Sequence, residues 1–386
     1  MKSLYMNLLS KHSIIYYILI ICITICSCSN KGTTQDPNII YLKWNKSYPK
    51  DALERNKSGL KWALSFLGST IALDTTLTGI THNNDIIKLD VSNSGFTKKA
   101  IPHLQELNRI IQNSEEYQKR GHIDMGRYVA LTIGSSNHYY KIVDTPLHLY
   151  DLEASYTFDT LTAFINNSGI SHIDREIQYS INNKPNRLAF ISAERDTVTG
   201  EIQEYETVEL MPNGHSRFAL YDIEGNLKTV GDKIVTRAGK PAKCMWCHES
   251  NIQPLFSKQL DVVGYIPSND FLDSLKRYNN ALKKYQREVW RDSVFLNRRL
   301  HTEMEIAYIK FMEPSIEQLA NEWQLSQEDV LKKVAHLKSH RHHEFDFLGD
   351  LYHRIAIDSL APFKVLEVPE SIREASSNEN KVDYIK

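Results

Sequence analysis

The densest chemistry in the chain lies in five consecutive residues, Cys244-Met245-Trp246-Cys247-His248. Two cysteines three apart, with a histidine directly after the second, share one side of a helical turn, so both sulfurs and the imidazole can serve one ligand. Thiols so placed can add to the two vinyl groups of one porphyrin while the imidazole takes its iron. The same residue types also make half of a zinc site or a redox dithiol. The cysteine inventory weighs between them: Cys22, Cys26 and Cys28 crowd the N-terminus, and only Cys244 and Cys247 remain for the body. A structural zinc site draws on further thiolates or a spaced histidine pair, and a thioredoxin-like pair follows a strand in a βαβ unit. Neither context is evident here. Haem attachment is the favoured chemistry, and a disulfide or dithiol is the principal alternative.

The N-terminus reads as a targeting segment. Lys2 and Lys11 give a basic start, and Ile14 to Ile25 form an apolar run without charge, shorter than the about 20 residues of a spanning helix. The run ends at Ile25-Cys26-Ser27-Cys28, which resembles the lipobox of bacterial lipoproteins, although Cys26 is unusual in its position. The resemblance implies a signal peptide over 1–27, lipidation of Cys28 and a lipid-anchored linker over 28–40, polar from Ser29 to Asn38. A plain secretory signal or membrane anchor is the alternative. An exported chain would lie in the bacterial cell envelope, facing the periplasm or the cell surface, where covalent haem is installed. The two signals support each other.

The pentapeptide resembles the haem-attachment motif of c-type cytochromes, and the resemblance covers those five residues and little else. It implies one covalent haem c, with Cys244 and Cys247 as thioethers, His248 as proximal iron ligand, and one-electron transfer to a redox partner protein. The sixth ligand would decide between a closed electron carrier and an open site of peroxidase or oxidase type. Met304 and Met312 follow the motif. Met312, before Glu313-Pro314, resembles the loop that carries the distal methionine in that family and is the preferred metal ligand, whereas Met304 lies on an apolar stripe that core packing explains. His340-Arg341-His342-His343-Glu344 offers another sixth ligand, a separate metal site, or simply a solvated helix end. A second C-x-x-C-H is absent from the sequence, which argues against a di-haem relay.

The elements that must position these residues read as α+β. A region over 41–237 of unassigned role mixes helices with antiparallel strands, and a mostly α-helical, cytochrome c-like haem domain follows over 238–365. The polar tail over 366–386 reads as disordered from Glu370 onward. Helical spacing of Leu53, Leu60, Ala63, Leu64 and Leu67 predicts a helix over 51–67 stopped by Gly68. Ile86 to Val91 reads as a strand, 97–119 as helix and 158–165 as a short helix, while 125–143 is undecided. Strands over 187–193, 202–210 and 216–221, with reversals at 196–200, Pro212-Asn213-Gly214 and 222–225, predict an antiparallel meander. Ile252 to Phe256 is an apolar segment able to cover a haem face. A long helical region opens at Pro267-Ser268 and extends to Phe311, with further helices over 315–323 and 327–337, the last capped by Ser326. The pair 316–323 and 326–337 resembles a helix-turn-helix, but a net charge of −1 and export both argue against nucleic acid as a partner, and it reads as a packed hairpin.

Overall fold

In chain order, β1 (Ile39–Lys43) alternates buried and open positions, sinking Ile40 and Leu42. The helix α1 (Leu53–Phe66) buries Leu60, Ala63, Leu64 and Phe66, as its spacing predicts. Strands β2 (Ile80–Asn83) and β3 (Ile86–Asp90) form a hairpin, followed by α2 (Ala100–Gln112) and α3 (Glu115–Arg120). Ser114 caps α3 and Gly121 ends it in the left-handed region. After β4 (Ile123–Asp124), the undecided stretch is helical: α4 (Met125–Thr132), α5 (Ser136–Ile142) and then α6 (Leu149–Ser155). The first sheet runs β2-β3-β1-β4 and is mixed, with β1 and β4 parallel.

A second sheet of six antiparallel strands follows: β5 (Ala163–Ile165), β6 (Asp174–Tyr179), β7 (Ala189–Arg195), β8 (Ile202–Leu210), β9 (Ser216–Tyr221) and β10 (Leu227–Lys228), in sequential order. The expected meander is β7 to β9. The expected helix over 158–165 is not formed. Phe158 bridges Ser180, and Ala163–Ile165 pairs with Ile177–Arg175, so cross-strand hydrogen bonds to residues far along the chain override local helical spacing.

The remaining described elements are helices: α7 (Pro241–His248), α8 (Ser268–Val289), α9 (Arg299–Met312), α10 (Ile316–Trp323), α11 (Gln327–Val334) and α12 (Arg354–Asp358). Ser315 and Ser326 cap α10 and α11. These two helices bury Leu319, Trp323, Val330 and Val334 with Ile357 of α12, which is the packed hairpin. These coordinates are a computed structural model, and the structure describes residues 35–70, 79–166, 168, 173–181, 187–232, 239–252, 254–290, 299–370 and 379–386. Cys28, the expected signal peptide and most of the linker lie outside the described residues. Among those described, no helix is long and apolar enough to cross a membrane.

One core joins elements from both sides of residue 238, and Pro37 to Lys386 form one unit. Helix α9 lies along α1, and at the crossing a Cβ on Gly59 would stand 2.6 Å from the carbonyl oxygen of Glu303. Only a glycine lets the backbones approach so closely. A Cβ on Gly126 of α4 would likewise collide with Phe311. Against Phe311 lie two buried guanidiniums, Arg127 with its carbon 5.1 Å from the ring centroid and Arg354 at 3.9 Å. Arg354 makes a bidentate pair with Glu322 at 2.9 and 3.0 Å and donates to the Phe311 carbonyl. Arg127 pairs with Asp358 at 2.9 and 3.1 Å and lies 3.4 Å from Glu116. The expected disordered tail is partly ordered: Val382 and Ile385 are fully buried, and the Tyr384 amide donates to His138 Nε2.

Removing one partner from a buried ionic cluster strands the other charges without solvent. Arg127→Met is therefore expected to cost about 3–5 kcal/mol of unfolding free energy, measured by urea denaturation. A loss below about 1 kcal/mol would fit only the median exposed ion pair and would contradict this arrangement.

Candidate haem-attachment site

The motif forms α7. Pro241 occupies the first turn, where its missing N–H costs no hydrogen bond. Lys240, the N-cap residue, is fully buried and its ammonium donates to the Glu370 carbonyl at 2.9 Å. Ala242 and Met245 are buried on one side of the helix, and Trp246 sets its edge against His301 and Tyr308, each 5.9 Å away. Those contacts fix the rotation of the helix. Cys244, Cys247 and His248, spaced i, i+3 and i+4, then share the other side, where all three line a pocket with strands β6 to β8. Trp246 packs into the core and does not line this pocket.

The exit from α7 is strained. Glu249 and Ser250 have φ of 45° and 62°, left-handed values that side chains adopt at a cost of about 1–3 kcal/mol each. Buried partners hold the turn: the Ser250 carbonyl accepts from Gln286 Nε2 at 2.9 Å, and its hydroxyl lies 2.8 Å from His215 Nδ1. His215 is enclosed by Trp62, Phe66 and Trp290. The segment turned back by this arrangement brings Ile252, Leu255 and Phe256 to line the pocket.

Register shows how the sheet builds the facing wall. Cross-strand neighbours form three rows on one face: Tyr179-Phe190-Val208-Phe218, Ile177-Ser192-Glu206-Leu220 and Arg175-Glu194-Glu204. The wall is thus graded from apolar to charged. Phe271 and Leu275 of α8 add to the apolar end, and the cavity so enclosed is about 150 Å³. Phe256 and Phe271 stack at 6.0 Å within it.

His248 rests against Phe218, ring centroids 5.6 Å apart; its carbonyl accepts from the Asn251 amide at 2.7 Å, while its imidazole makes no hydrogen bond among the described residues. Burial, and then the nearby charge of Arg175, push its pKa down to about 4, so the ring is neutral at pH 7 and a nitrogen lone pair is available. The Cys244 thiol is pushed well above its ordinary value by burial, then by the Glu206 and Cys247 charges. Cys247 is exposed at the mouth. A neutral imidazole without a hydrogen-bond partner among the described residues, two thiols on the same helical side and a wall of Phe and Ile side chains make the donor set and lining of a covalently attached haem, although a cavity of about 150 Å³ is smaller than a porphyrin and would have to open to admit one. A porphyrin needs iron ligation, two thioether bonds and an apolar cradle.

The other expected ligands are not brought to this pocket. Met312, at the end of α9, lines a separate cleft with Glu313, His340, His353 and Arg354, because Arg354 grips the Phe311 carbonyl and fixes that end of the helix. Met304 is fully buried in the core. His340 lies beyond the end of α11, not within it, where it pairs with Glu313 at 2.7 Å and stacks on His353 at 4.2 Å. His342 stacks on His343 and Phe345. Among the described residues, no three His, Cys, Asp or Glu side chains converge as a metal site. Arg175, Ser192, Glu206 and Lys243 are pocket residues that the sequence reading did not single out.

Compared with known protein families, curated proteins and solved structures, the chain matches none of them.

The depressed pKa of His248 sets a direction for acid stability in the haem-free chain. Below the unfolded histidine value of about 6.5 the unfolded chain takes a proton that the folded ring refuses, so stability falls as pH drops from there towards about 4. His248→Gln is expected to lose less stability than wild type between these limits, read by urea unfolding at each pH. Equal losses would show that the folded imidazole already titrates normally.

Proposed function

We propose that the protein carries one covalent c-type haem, bound through Cys244 and Cys247 with His248 as the proximal iron ligand, and that it handles single electrons. The placement of a neutral imidazole, without a hydrogen-bond partner among the described residues, and of both thiols on the pocket side of α7 carries this reading. When bound, a haem supplies an iron centre that cycles between two oxidation states. The chain's own residues then have defined tasks. His248 presents its lone pair, Phe218 limits the tilt of its ring, and Ile177, Phe190, Val208 and Phe271 exclude water. Arg175 and Lys243 place positive charge at the polar side of the wall. The Cys28 lipid anchor and a cell-envelope location complete the proposal, with a redox protein as the partner for electrons and no role for nucleic acid.

A specific observation favours a second reading, a haem enzyme of peroxidase or oxidase type with an open iron position. No methionine and no second histidine lines the pocket among the described residues, so the described wall offers none of the usual ligands that close a carrier haem.

Protein made with a cytochrome c maturation system is expected to retain a haem stain after denaturing electrophoresis, with the stain lost in Cys244→Ser/Cys247→Ser. An unstained wild-type chain would sink the haem reading. In the stained protein, carbon monoxide is expected to shift the reduced Soret band, as the described pocket wall predicts. A reduced spectrum that carbon monoxide leaves unchanged would instead support a closed electron carrier.

A further inference from the structure

Glu194 is fully buried on β7, between Arg175 of β6 and Glu204 of β8 in the same cross-strand row. Its two oxygens are both engaged, one by Arg175 Nε at 2.7 Å and the other by the Ser192 hydroxyl at 2.7 Å. Arg175 is shared, since its Nη2 lies 3.9 Å from Glu206, beyond hydrogen-bond reach, and that buried Nη2 has no hydrogen-bond partner. Glu204 is also fully buried. One of its oxygens takes Lys228 at 2.7 Å and the Asp232 amide at 3.1 Å, while the other is buried without a partner. Lys243 and Cys244 of α7 face the same region across the pocket.

Two carboxyls sharing one guanidinium, with Glu194 fully buried and Glu206 half-buried, cannot both ionise cheaply. Burial and then the Glu206 charge raise the Glu194 pKa, against the pull of Arg175, so this group holds a proton into the neutral range. The cluster also acts electrostatically on the attachment residues, because the Arg175 charge bears on His248 and the Glu206 charge on Cys244. Glu194 sits one cross-strand row beyond the pocket and is bonded to Arg175, which lines it, so a unit of charge placed in the pocket acts on Glu194 across a short, largely buried path.

We propose that Glu194 is a redox-linked proton site: when the pocket's iron gains an electron, the Glu194 carboxylate takes up a proton, and when the electron leaves, the proton is released. This rests on the haem reading. The electron comes from a one-electron donor protein, or from an electrode in the test, and the proton from water. One O–H bond forms on reduction and breaks on oxidation. Arg175 and Ser192 hold the carboxyl in place, and Glu206 sets how readily it gives up its proton.

The test is a spectroelectrochemical titration of haem-loaded protein from mildly acidic to alkaline pH. The wild-type midpoint potential is expected to fall as pH rises, by up to about 59 mV for each tenfold drop in proton concentration, the one-electron limit. Glu194→Gln is expected to flatten that slope, and the exposed Glu201→Gln to leave it intact. Glu206→Gln, which keeps the titrating group, should retain the slope but move it to lower pH, and it serves if Glu194→Gln fails to fold. Infrared spectra of the haem-free chain should show a protonated-carboxyl band that Glu194→Gln removes. A stained protein whose potential ignores pH, or whose slope survives in Glu194→Gln, overturns the proton site alone. An unstained wild type overturns both this inference and the function it rests on.

Discussion

The fold depends on two guanidiniums held out of water around one phenylalanine ring. Arg127 and Arg354 are both fully buried, both pack over Phe311, and between them they engage Glu116, Glu322 and Asp358. Burial is expensive for each charge, and the arrangement is viable because geometry is good: one bidentate pair, two close bonds to Asp358 and a carbonyl acceptor for each arginine. Its strained member is Glu116, raised to about 7 by desolvation against the pull of Arg127. The consequence is topological. Helices α3 and α4, early in the chain, are tied to α9, α10 and α12, which come after the cysteine motif.

That tie explains why the candidate site is composite. The motif helix is held from one side by Met245, Ala242 and Trp246 against the shared core, including Tyr308 on α9. Its other side meets strands that precede it by up to seventy residues. The strained exit at Glu249 and Ser250 is held from both directions, by His215 on the sheet side and Gln286 on α8. A loose exit would let Ile252 to Phe256 swing off the pocket. The buried bonds to Ser250 make the apolar cover part of the same rigid unit as the thiols it covers.

How much of this could be read in the sequence follows from which interactions are local. The spacing within 244–248 already places three side chains on one helical side, and the turn chemistry at Pro212-Asn213-Gly214, with φ of 81° at Gly214, marks the β8 to β9 reversal. Ser326 before α11 and the spacing in α8 read equally well. Phe158 to Ile165 misleads because its partners, Ser180 and 175–177, are distant in sequence. Glu204 and Glu206 follow a two-residue alternation that ordinarily marks a solvent face, and only the register that sets them and Glu194 in rows with Arg175 and Ile177 shows them turned inward. Met312 looks like a ligand because of its position before Glu313-Pro314. Nothing in the sequence says that Arg354 will hold that helix end elsewhere.

The pocket's two halves make opposing demands, and the sheet reconciles them by strand register. An apolar cradle lowers the local dielectric, which keeps His248 neutral but also strengthens every uncompensated charge nearby. Placing Arg175, Glu194 and Glu204 one row beyond Ile177 and Ser192 keeps the charges beside the pocket, with Arg175 bonded to Glu194 across strands and Glu204 held by Lys228. A one-residue slip of β7 against β8 would turn Phe190, Ser192 and Glu194 away together. It would remove the apolar cradle and the charged row in one step. Neighbouring strands fix that register at both sides, β6 with six paired positions and β9 with six more, so the grading of the wall is a property of the whole meander rather than of any single side chain.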